Sequence, residues 1–390
     1  MTPAERRAAQ SLAGIFALRM LGLFLVLPVF VLEAAHLPGG DDPALVGLAM
    51  GIYGLTQAVM QMPLGLASDR IGRKKVIVLG LLIFALGSAW AALADSVQML
   101  VAARALQGAG AMSAAVTALL ADLTRDQVRT KGMALVGMSI AGMFALSLVI
   151  APPLAGVIGL RGLFGLTALL ALAGIALVLL VTPPEPARHA DESRGRLAEI
   201  WLHPNLWRLD LGVWVLHTVQ MAMWSVVPAL LVHAGLDKAQ HWHVYLPAVL
   251  ASFVMLGGLF AAERRGQLRL VLRVGVALLL LVQLALWLAA PRVPGLWTLG
   301  VLMFLFFAAF NLLEATQPSL ISRLAPSQAR GAALGVYNTL QSLGLFAGGA
   351  LGGWLVKGFG PQAVFAATAA LAALWLALSW TQPIPSGVVR

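Results

Sequence analysis

Four ionisable side chains stand within segments that are otherwise strongly apolar, and their chemistry is the binding and movement of charge. The four are Arg19, Arg104, His217 and Glu314. A charge in the middle of a bilayer costs at least about 2.5 kcal/mol on insertion scales, so each should face a cavity or a partner. Imidazole and a buried carboxyl group can both exchange protons near neutral pH. These residues therefore predict a site that takes up and releases protons.

Glu314 is the best candidate for the proton carrier. Asn311 lies three residues before it and Gln317 three residues after it, so a helix would carry all three on one polar stripe. We expect Glu314 to be buried and to bind a proton or substrate together with Asn311. The alternative is a hydrogen-bonded polar cluster that only joins helices.

The two arginines differ in depth. Gln107 follows Arg104 by three residues and shares its helical face, and Arg104 is expected in the outer half of its span. It faces a cavity or partner there, or alternatively it snorkels to the outer interface. Arg19 is too deep for snorkelling, so we expect it to face a central cavity or a carboxylate. It would serve substrate or proton coupling, or alternatively form a structural ion pair.

His217 shares a helical face with aromatic and sulfur-containing side chains. Trp214, Met221 and Trp224 stand at positions i−3, i+4 and i+7 from it. This face suits an apolar or cationic substrate, and the imidazole could carry the proton. A packing role is the alternative. His217 and Met221 also have the spacing of two copper ligands on one helix, although no second ligand pair is evident.

The elements that position these residues must be membrane helices. Of the 390 residues, 60% are hydrophobic and 11% charged, against about 25% charged in ordinary soluble domains, and the mean hydropathy is +0.89.

The absence of cysteine excludes disulfides, thiolate metal sites and cysteine catalysis. No phosphate-binding loop is present, so the energy should come from a gradient. The net charge of +10 lies in short loops and does not indicate nucleic-acid binding.

The apolar runs predict an all-α membrane protein with 12 transmembrane helices in two pseudo-symmetric six-helix halves. The predicted spans are 11–33, 44–66, 76–95, 99–121, 132–158, 163–182, 206–232, 244–262, 270–290, 297–320, 332–356 and 362–381. An N-terminal bundle covers 1–182, a cytoplasmic linker 183–205 and a C-terminal bundle 206–390. The loop after span 8 and the start of span 11 partly repeat their counterparts in the first half, which favours duplication.

Lys and Arg residues fix the predicted orientation. With the N-terminus inside, the outside loops contain only Arg161, Lys238, Arg292 and Lys357, and the other loop Lys and Arg residues lie inside. Positively charged loops stay cytoplasmic, so both termini are expected there. No removable signal peptide is evident, and we expect the tail after 381 to be too short for a further domain.

Three motifs resemble those of the major facilitator superfamily, and of its proton-coupled drug antiporters in particular. Residues 65–75 read GLASDRIGRKK, residues 100–111 read LVAARALQGAGA and residues 151–156 read APPLAG. In the last motif Pro152 and Gly156 match the antiporter pattern, whereas Ala151 and Ala155 stand where glycine is usual. The resemblance covers nearly the whole chain.

The resemblance implies roles for individual residues. It implies a conformational latch that stabilises the outward-facing state, with a charge relay among Asp69, Arg73 and Asp122, and it gives Arg104 a coupling role. Asp69 is expected at the amino end of the third helix, where a helix dipole favours an anion. The alternative is a solvated loop that serves only topology. The remaining latch residues are Gly65, Arg70 and Gly72.

Together these observations predict a secondary active transporter rather than an enzyme. The leading interpretation is proton-coupled efflux of hydrophobic or amphiphilic small molecules by alternating access, without a cofactor. We expect a monomer in a bacterial inner membrane whose partners are substrate, protons and lipid. The alternatives are an importer of copper or a small metabolite, and a membrane sensor or scaffold that transports nothing.

Overall fold

The fold is seen in a computed structural model that describes residues 1–185, 206–265, 267–292, 294–325 and 330–381. The regular structure of these residues is helical, which confirms the predicted all-α class. The α-helices are α1 (Pro3–Val26), α2 (Phe30–Ala34), α3 (Pro43–Ile71), α4 (Arg73–Ala92), α5 (Val97–Ala109), α6 (Ser113–Asp122), α7 (Asp126–Leu180), α8 (Trp207–Trp224), α9 (Val227–His233), α10 (Trp242–Arg264), α11 (Leu268–Ala289), α12 (Leu296–Leu324), α13 (Arg330–Phe359) and α14 (Pro361–Trp380).

Within the described residues, 10 helical stretches are long and apolar enough to cross a membrane. Helix α7 has 55 residues, or about 80 Å at 1.5 Å per residue, whereas a bilayer core is about 30 Å thick. Gly159 interrupts it with a non-helical backbone at φ 62°. If α7 is counted as two crossings, and α10, which is not among these 10 stretches, is added, the arrangement fits the predicted twelve helices.

Several helices differ in their bounds from the predicted spans, and the span 11–33 is itself broken between α1 and α2. Helix α1 begins at Pro3 rather than near 11, because Thr2 and Glu5 form a capping box that starts the helix before the apolar run. The predicted span 99–121 is broken between α5 and α6, and the span 206–232 is broken between α8 and α9. The length of an apolar run shows that a segment can cross the membrane, but hydropathy does not show where the helix is interrupted.

The described chain forms two compact units. The first comprises residues 1–41 and 52–185, and the second comprises 42–51 and 206–381. The predicted linker 183–205 lies almost entirely outside the described residues, so the predicted domain borders stay a prediction.

Glycines bring α5 into direct contact with two neighbouring helices of the first unit. A Cβ on Gly108 would lie 2.2 Å from the carbonyl oxygen of Tyr53 in α3, and one on Gly87 in α4 would lie 2.4 Å from the backbone nitrogen of Gln107. Only glycine permits such backbone approaches. This packing fixes the depth and rotation of the helix that carries Arg104 and Gln107.

Helix α13 packs against α8 in the second unit through small residues. A Cβ on Gly344 would lie 2.5 Å from the carbonyl oxygen of Trp214, and one on Gly348 would lie 2.3 Å from that of Thr218. The four-residue glycine spacing of α13 therefore marks a close helix–helix contact. His217 lies on α8 along this contact, and a Cβ on Gly344 would be 3.0 Å from the Cβ of His217.

Candidate functional site

His217, Glu314 and Gln341 meet in the second unit, one from each of α8, α12 and α13. The Nε2 atom of Gln341 lies 2.7 Å from Nε2 of His217 and donates to Oε1 of Glu314 at 3.2 Å. The other carboxylate oxygen of Glu314 lies 3.5 Å from Nε2 of His217. One amide thus bridges an imidazole and a carboxylate, two groups that titrate.

The hydrogen bonds of His217 define its protonation. Its Nδ1 atom lies 3.0 Å from the carbonyl oxygen of Val213, which can only accept, so Nδ1 carries a hydrogen. The amide nitrogen of Gln341 can only donate, so Nε2 of His217 must offer its lone pair. These hydrogen bonds fit a neutral imidazole with its hydrogen on Nδ1, beside a Glu314 carboxyl group that accepts from Gln341. A proton added at Nε2 would break the Gln341 bond and favour the carboxylate.

Glu314 is more accessible than the sequence predicts. Its side chain is 36% exposed, whereas that of His217 is 4% exposed. The carboxyl group is therefore only partly buried: its Oε2 atom is inaccessible, while the side chain as a whole is of intermediate exposure. The amide of Asn311 donates to Oγ of Ser252 in α10 at 2.8 Å.

The geometry does not favour copper at His217 and Met221. Both ring nitrogens of His217 are already within hydrogen-bond distance of Val213 and Gln341. Met221 is buried, and its Cβ lies 2.8 Å from the position a Cβ would take on Gly348. Among the described residues, no group of three or more metal-ligating His, Cys, Asp or Glu side chains occurs.

The first unit contains a different polar centre, built around Tyr53 and two arginines. Arg19 is fully buried and its Nη2 atom donates to the Tyr53 hydroxyl at 2.7 Å. The guanidinium of Arg104 lies over the Tyr53 ring, 5.1 Å from its centroid. Arg104 also donates to Oε1 of Gln107 at 2.7 Å, and Gln107 donates to Oγ of Ser88 at 2.8 Å.

The structure excludes one alternative for these arginines, the snorkelling of Arg104. Arg104 is 1% exposed, so it does not snorkel to the outer interface, because Gln107 and the ring of Tyr53 provide its surroundings inside the helices. For Arg19 the two expectations were a central cavity or a carboxylate; no described acidic side chain pairs with it, and the cavity stays a prediction. Its hydrogen-bond partners are neutral hydroxyl and amide groups.

The predicted latch residues Asp69, Arg73 and Asp122 lie together at one end of the first unit. Arg73 pairs with Asp69 through Nη1, and its Nε atom donates to Asp122 at 3.3 Å. Asp69 is in the last turn of α3 and does not cap the next helix. Glu185 occupies that position instead and accepts from the backbone N–H groups of Arg73 at 3.1 Å and Lys74 at 2.5 Å.

The other motif residues have simpler surroundings. Gly72 has φ 119°, which favours glycine and lets the chain turn from α3 into α4. Arg70 is exposed, and a Cβ on Gly65 would make only an ordinary contact, at 3.6 Å. Pro152 lies inside α7, and Gly156 faces open space, so no close helix contact explains that glycine.

Three residues of these sites were missed by the sequence reasoning, namely Tyr53, Glu185 and Gln341. Tyr53 and Gln341 are polar side chains within apolar helices, the same signal that singled out Glu314, and that signal could have found them. Glu185 follows a run of prolines after α7, and nothing in the local sequence marks its contact with α4.

Comparison with known proteins agrees with this architecture. Residues 12–349 and 262–389 match the family described as Major Facilitator Superfamily. The chain is 45% identical to the inner membrane transport protein YajR of Escherichia coli over 390 residues, which are 99% of this chain and 85% of that protein. It is 26% identical to multidrug resistance protein 2 of Bacillus subtilis over 366 residues, 88% of this chain and 87% of that protein.

A solved structure has the same fold. The crystal structure of a bacterial homologue of the human lysosomal transporter Spinster, inward-facing and occupied, superposes with a TM-score of 0.75, at 16% identity and 98% coverage of both chains. The family match and the 45% identity to YajR confirm the predicted family resemblance. The chain belongs to the major facilitator superfamily of membrane transport proteins, whose members bind small-molecule substrates within a membrane.

Proposed function

We propose that this chain is a proton-coupled efflux transporter for hydrophobic or amphiphilic small molecules that works by alternating access. The observation that carries this proposal is the contact of His217, Gln341 and Glu314 within the second unit. A gradient-driven transporter needs a group whose charge changes with each cycle, and this is a pair of titratable groups joined by an amide. The multidrug resistance protein among the relatives supports the efflux direction.

The proton would be exchanged between two states of this pair. In one, neutral His217 accepts from Gln341 while Glu314 is ionised. In the other, a proton lies between the imidazole and the carboxylate, and the amide of Gln341 must turn to present its oxygen. Because α8, α12 and α13 each contribute one member, the change alters the hydrogen bonds that join three helices. The proton belongs to the pair rather than to either residue alone.

The latch at Asp69, Arg73 and Asp122 would bias the same equilibrium in the first unit. Its charged pairs are partly exposed, so each contributes little to stability by itself. Breaking them would shift populations between conformations rather than unfold the protein. We further propose a monomer with both termini in the cytoplasm, driven by the proton gradient without a bound cofactor.

Replacing the carboxylate tests the proposal. In proteoliposomes loaded with a panel of amphiphilic dyes, Glu314→Gln is expected to abolish flux driven by a pH gradient, while binding without a gradient persists. Gln keeps the shape and the hydrogen-bonding capacity of Glu but cannot ionise. Asp41→Asn is the matched control, because it removes an exposed carboxylate far from this cluster in sequence.

Gradient-driven flux that is equal in Glu314→Gln and Asp41→Asn would contradict the assignment of Glu314. Circular dichroism and the elution volume in detergent would confirm that both variants are folded. Flux that does not respond to a pH gradient even in the unmodified protein would remove proton coupling altogether.

A further inference from the structure

Arg19 is a buried cation whose hydrogen-bonding capacity is only partly used. It is 0% exposed, and a guanidinium offers five N–H donors. One bond is short, to the Tyr53 hydroxyl at 2.7 Å, and the contacts to Ser113 at 3.4 Å and Gln57 at 3.5 Å are at the limit of hydrogen bonding. Its Nε atom has no partner among the described residues. Burying a charge without an opposite charge is costly, so this arrangement favours the binding of an anionic ligand.

A helix begins beside this guanidinium. The chain leaves α5 at Gly110 and starts α6 at Ser113, and the first backbone bond of α6 runs from Val116 N–H to the carbonyl oxygen of Met112. No side chain in the described residues caps this helix. The amino end of a helix leaves its first N–H groups without internal partners and carries about half a positive charge. In transporters, the amino ends of interrupted helices can face anionic substrate groups.

The two positive features converge on Ser113. Ser113 is the first residue of α6, and its hydroxyl lies 3.4 Å from Nη1 of Arg19. Ser113 and Gln57 are both half-buried, whereas the guanidinium that they contact is fully buried. An anion that displaced these long contacts would gain an ionic bond at the expense of weak ones.

The surroundings also indicate the charge and the shape of the ligand. One guanidinium and one helix end match a single negative charge better than the double charge of phosphate. On its other side the guanidinium lies over the ring of Phe84, 5.4 Å from the centroid, and Phe84 belongs to an apolar cluster with Tyr53 and Leu23 against which Met20 packs. A carboxylate attached to an apolar body satisfies both halves of this environment.

We propose that Arg19 and the amino end of α6 bind the carboxylate of an amphiphilic organic acid. This inference rests on the proposed transport function and narrows its substrate class to monocarboxylates. Arg19 holds the carboxylate through its free N–H groups, Ser113 and the first backbone N–H groups of α6 complete the site, and the apolar cluster contacts the body of the acid.

A matched pair of probes tests the site without any gradient. Purified full-length protein in nanodiscs is titrated with 2-naphthoate and with 2-naphthamide, which share a ring system and differ in charge, using equilibrium dialysis. We expect binding of naphthoate to exceed that of naphthamide by at least about tenfold, the factor of one charge-assisted hydrogen bond. Arg19→Gln should remove this preference, whereas Arg6→Gln, which removes an exposed arginine, should keep it.

A second variant fills the site from within the chain. Ser113→Asp places a carboxylate at the amino end of α6 and next to Arg19, so it should raise the melting temperature and abolish binding of naphthoate. Ser113→Asn is its uncharged match and should do neither. This pair tests the proposal even if Arg19→Gln fails to fold.

The outcomes separate this inference from the proposed function. Equal binding of the two probes, or a Ser113→Asp variant that binds naphthoate as well as Ser113→Asn does, would overturn the carboxylate site. Displacement of naphthoate by equimolar chloride would overturn the organic acid in favour of an inorganic anion. Binding that meets every expectation in a protein without gradient-driven flux would leave the site standing and remove only proton coupling.

Discussion

The polar centres of the two units differ in the kind of charge that they hold. The first unit buries Arg19 and Arg104, which both contact Tyr53, and arginine stays protonated at every physiological pH. The second unit joins His217 to Glu314 through Gln341, and both of these groups can change charge. One unit therefore carries fixed positive charge and the other carries charge that can be switched.

This difference suggests a division of labour within one chain. A fixed charge can attract or orient a ligand but cannot report the pH, because its protonation never changes. A titratable pair can respond to a proton gradient, because its hydrogen bonds differ between protonation states. Substitutions in the first unit are thus expected to impair ligand recognition. Substitutions in the second unit are expected to impair the pH dependence of transport.

The largest effect is expected where backbone packing supports the fixed-charge centre. Gly108→Val would force a side chain into the space 2.2 Å from the Tyr53 carbonyl oxygen, and two helix backbones cannot easily separate. Overpacking of this kind costs about 3 kcal/mol or more, so we expect little folded protein. The measurement is the yield of monodisperse protein and its melting temperature in detergent.

Gly137→Val is the control for this change, because a Cβ at Gly137 in α7 meets open space. Similar yields for the two variants would mean that the contact between α5 and α3 does not support the centre around Tyr53.

An intermediate effect is expected when the switchable charge is replaced by a fixed one. His217→Arg would hold a permanent positive charge next to Glu314, so the pair could no longer exchange a proton. The ratio of flux with and without a pH gradient should fall by about tenfold, within the usual range for coupled sites. Flux assays in proteoliposomes between about pH 6 and 8 measure this ratio.

His243→Arg introduces the same charge at an exposed histidine and should leave that ratio intact. A His217→Arg protein that retains its full response to pH would show that the second unit does not hold the switch.

The smallest effect concerns a histidine of the second unit that lies outside the cluster. Burial lowers the pKa of His241 from 6.5 to about 4. The unfolded chain therefore binds a proton more readily than the folded protein does, and the stability that the neutral ring permits is lost as the pH falls from 6.5 towards 4. We expect a loss of about 1 kcal/mol between pH 6.5 and 5.5.

Melting temperatures measured across this pH range test the effect. His241→Phe keeps an aromatic ring against Tyr245, whose ring centroid lies 5.9 Å away, and it should flatten the pH dependence of stability. The response of transport to pH should persist in the same variant. If His241→Phe melts with the same pH dependence as the unmodified protein, His241 does not contribute, and pH effects on transport and stability cannot be separated in this way.

Much of the candidate site follows from residue type alone. Arg19, Arg104, His217 and Glu314 are recognisable because a charge inside an apolar run is costly and therefore rarely without purpose. Their partners are harder to predict. Gln341 lies 27 residues from Glu314 and 124 from His217 along the chain, so no local pattern could join the three. Glu185 is likewise 111 residues from Lys74.

The sequence by itself determined the solvent, the class of fold and the family of this protein. Apolar runs of membrane length must be helices because lipid offers no partners to the backbone, and the motif around Asp69 identifies the superfamily. The tertiary structure alone decided which groups surround each charged side chain. It left Arg19 without a carboxylate among the described residues, it exposed part of Glu314, and it broke a predicted span before Ser113. The reason is that hydropathy is a sum over local residues, whereas the partner of a charge depends on which helices lie side by side.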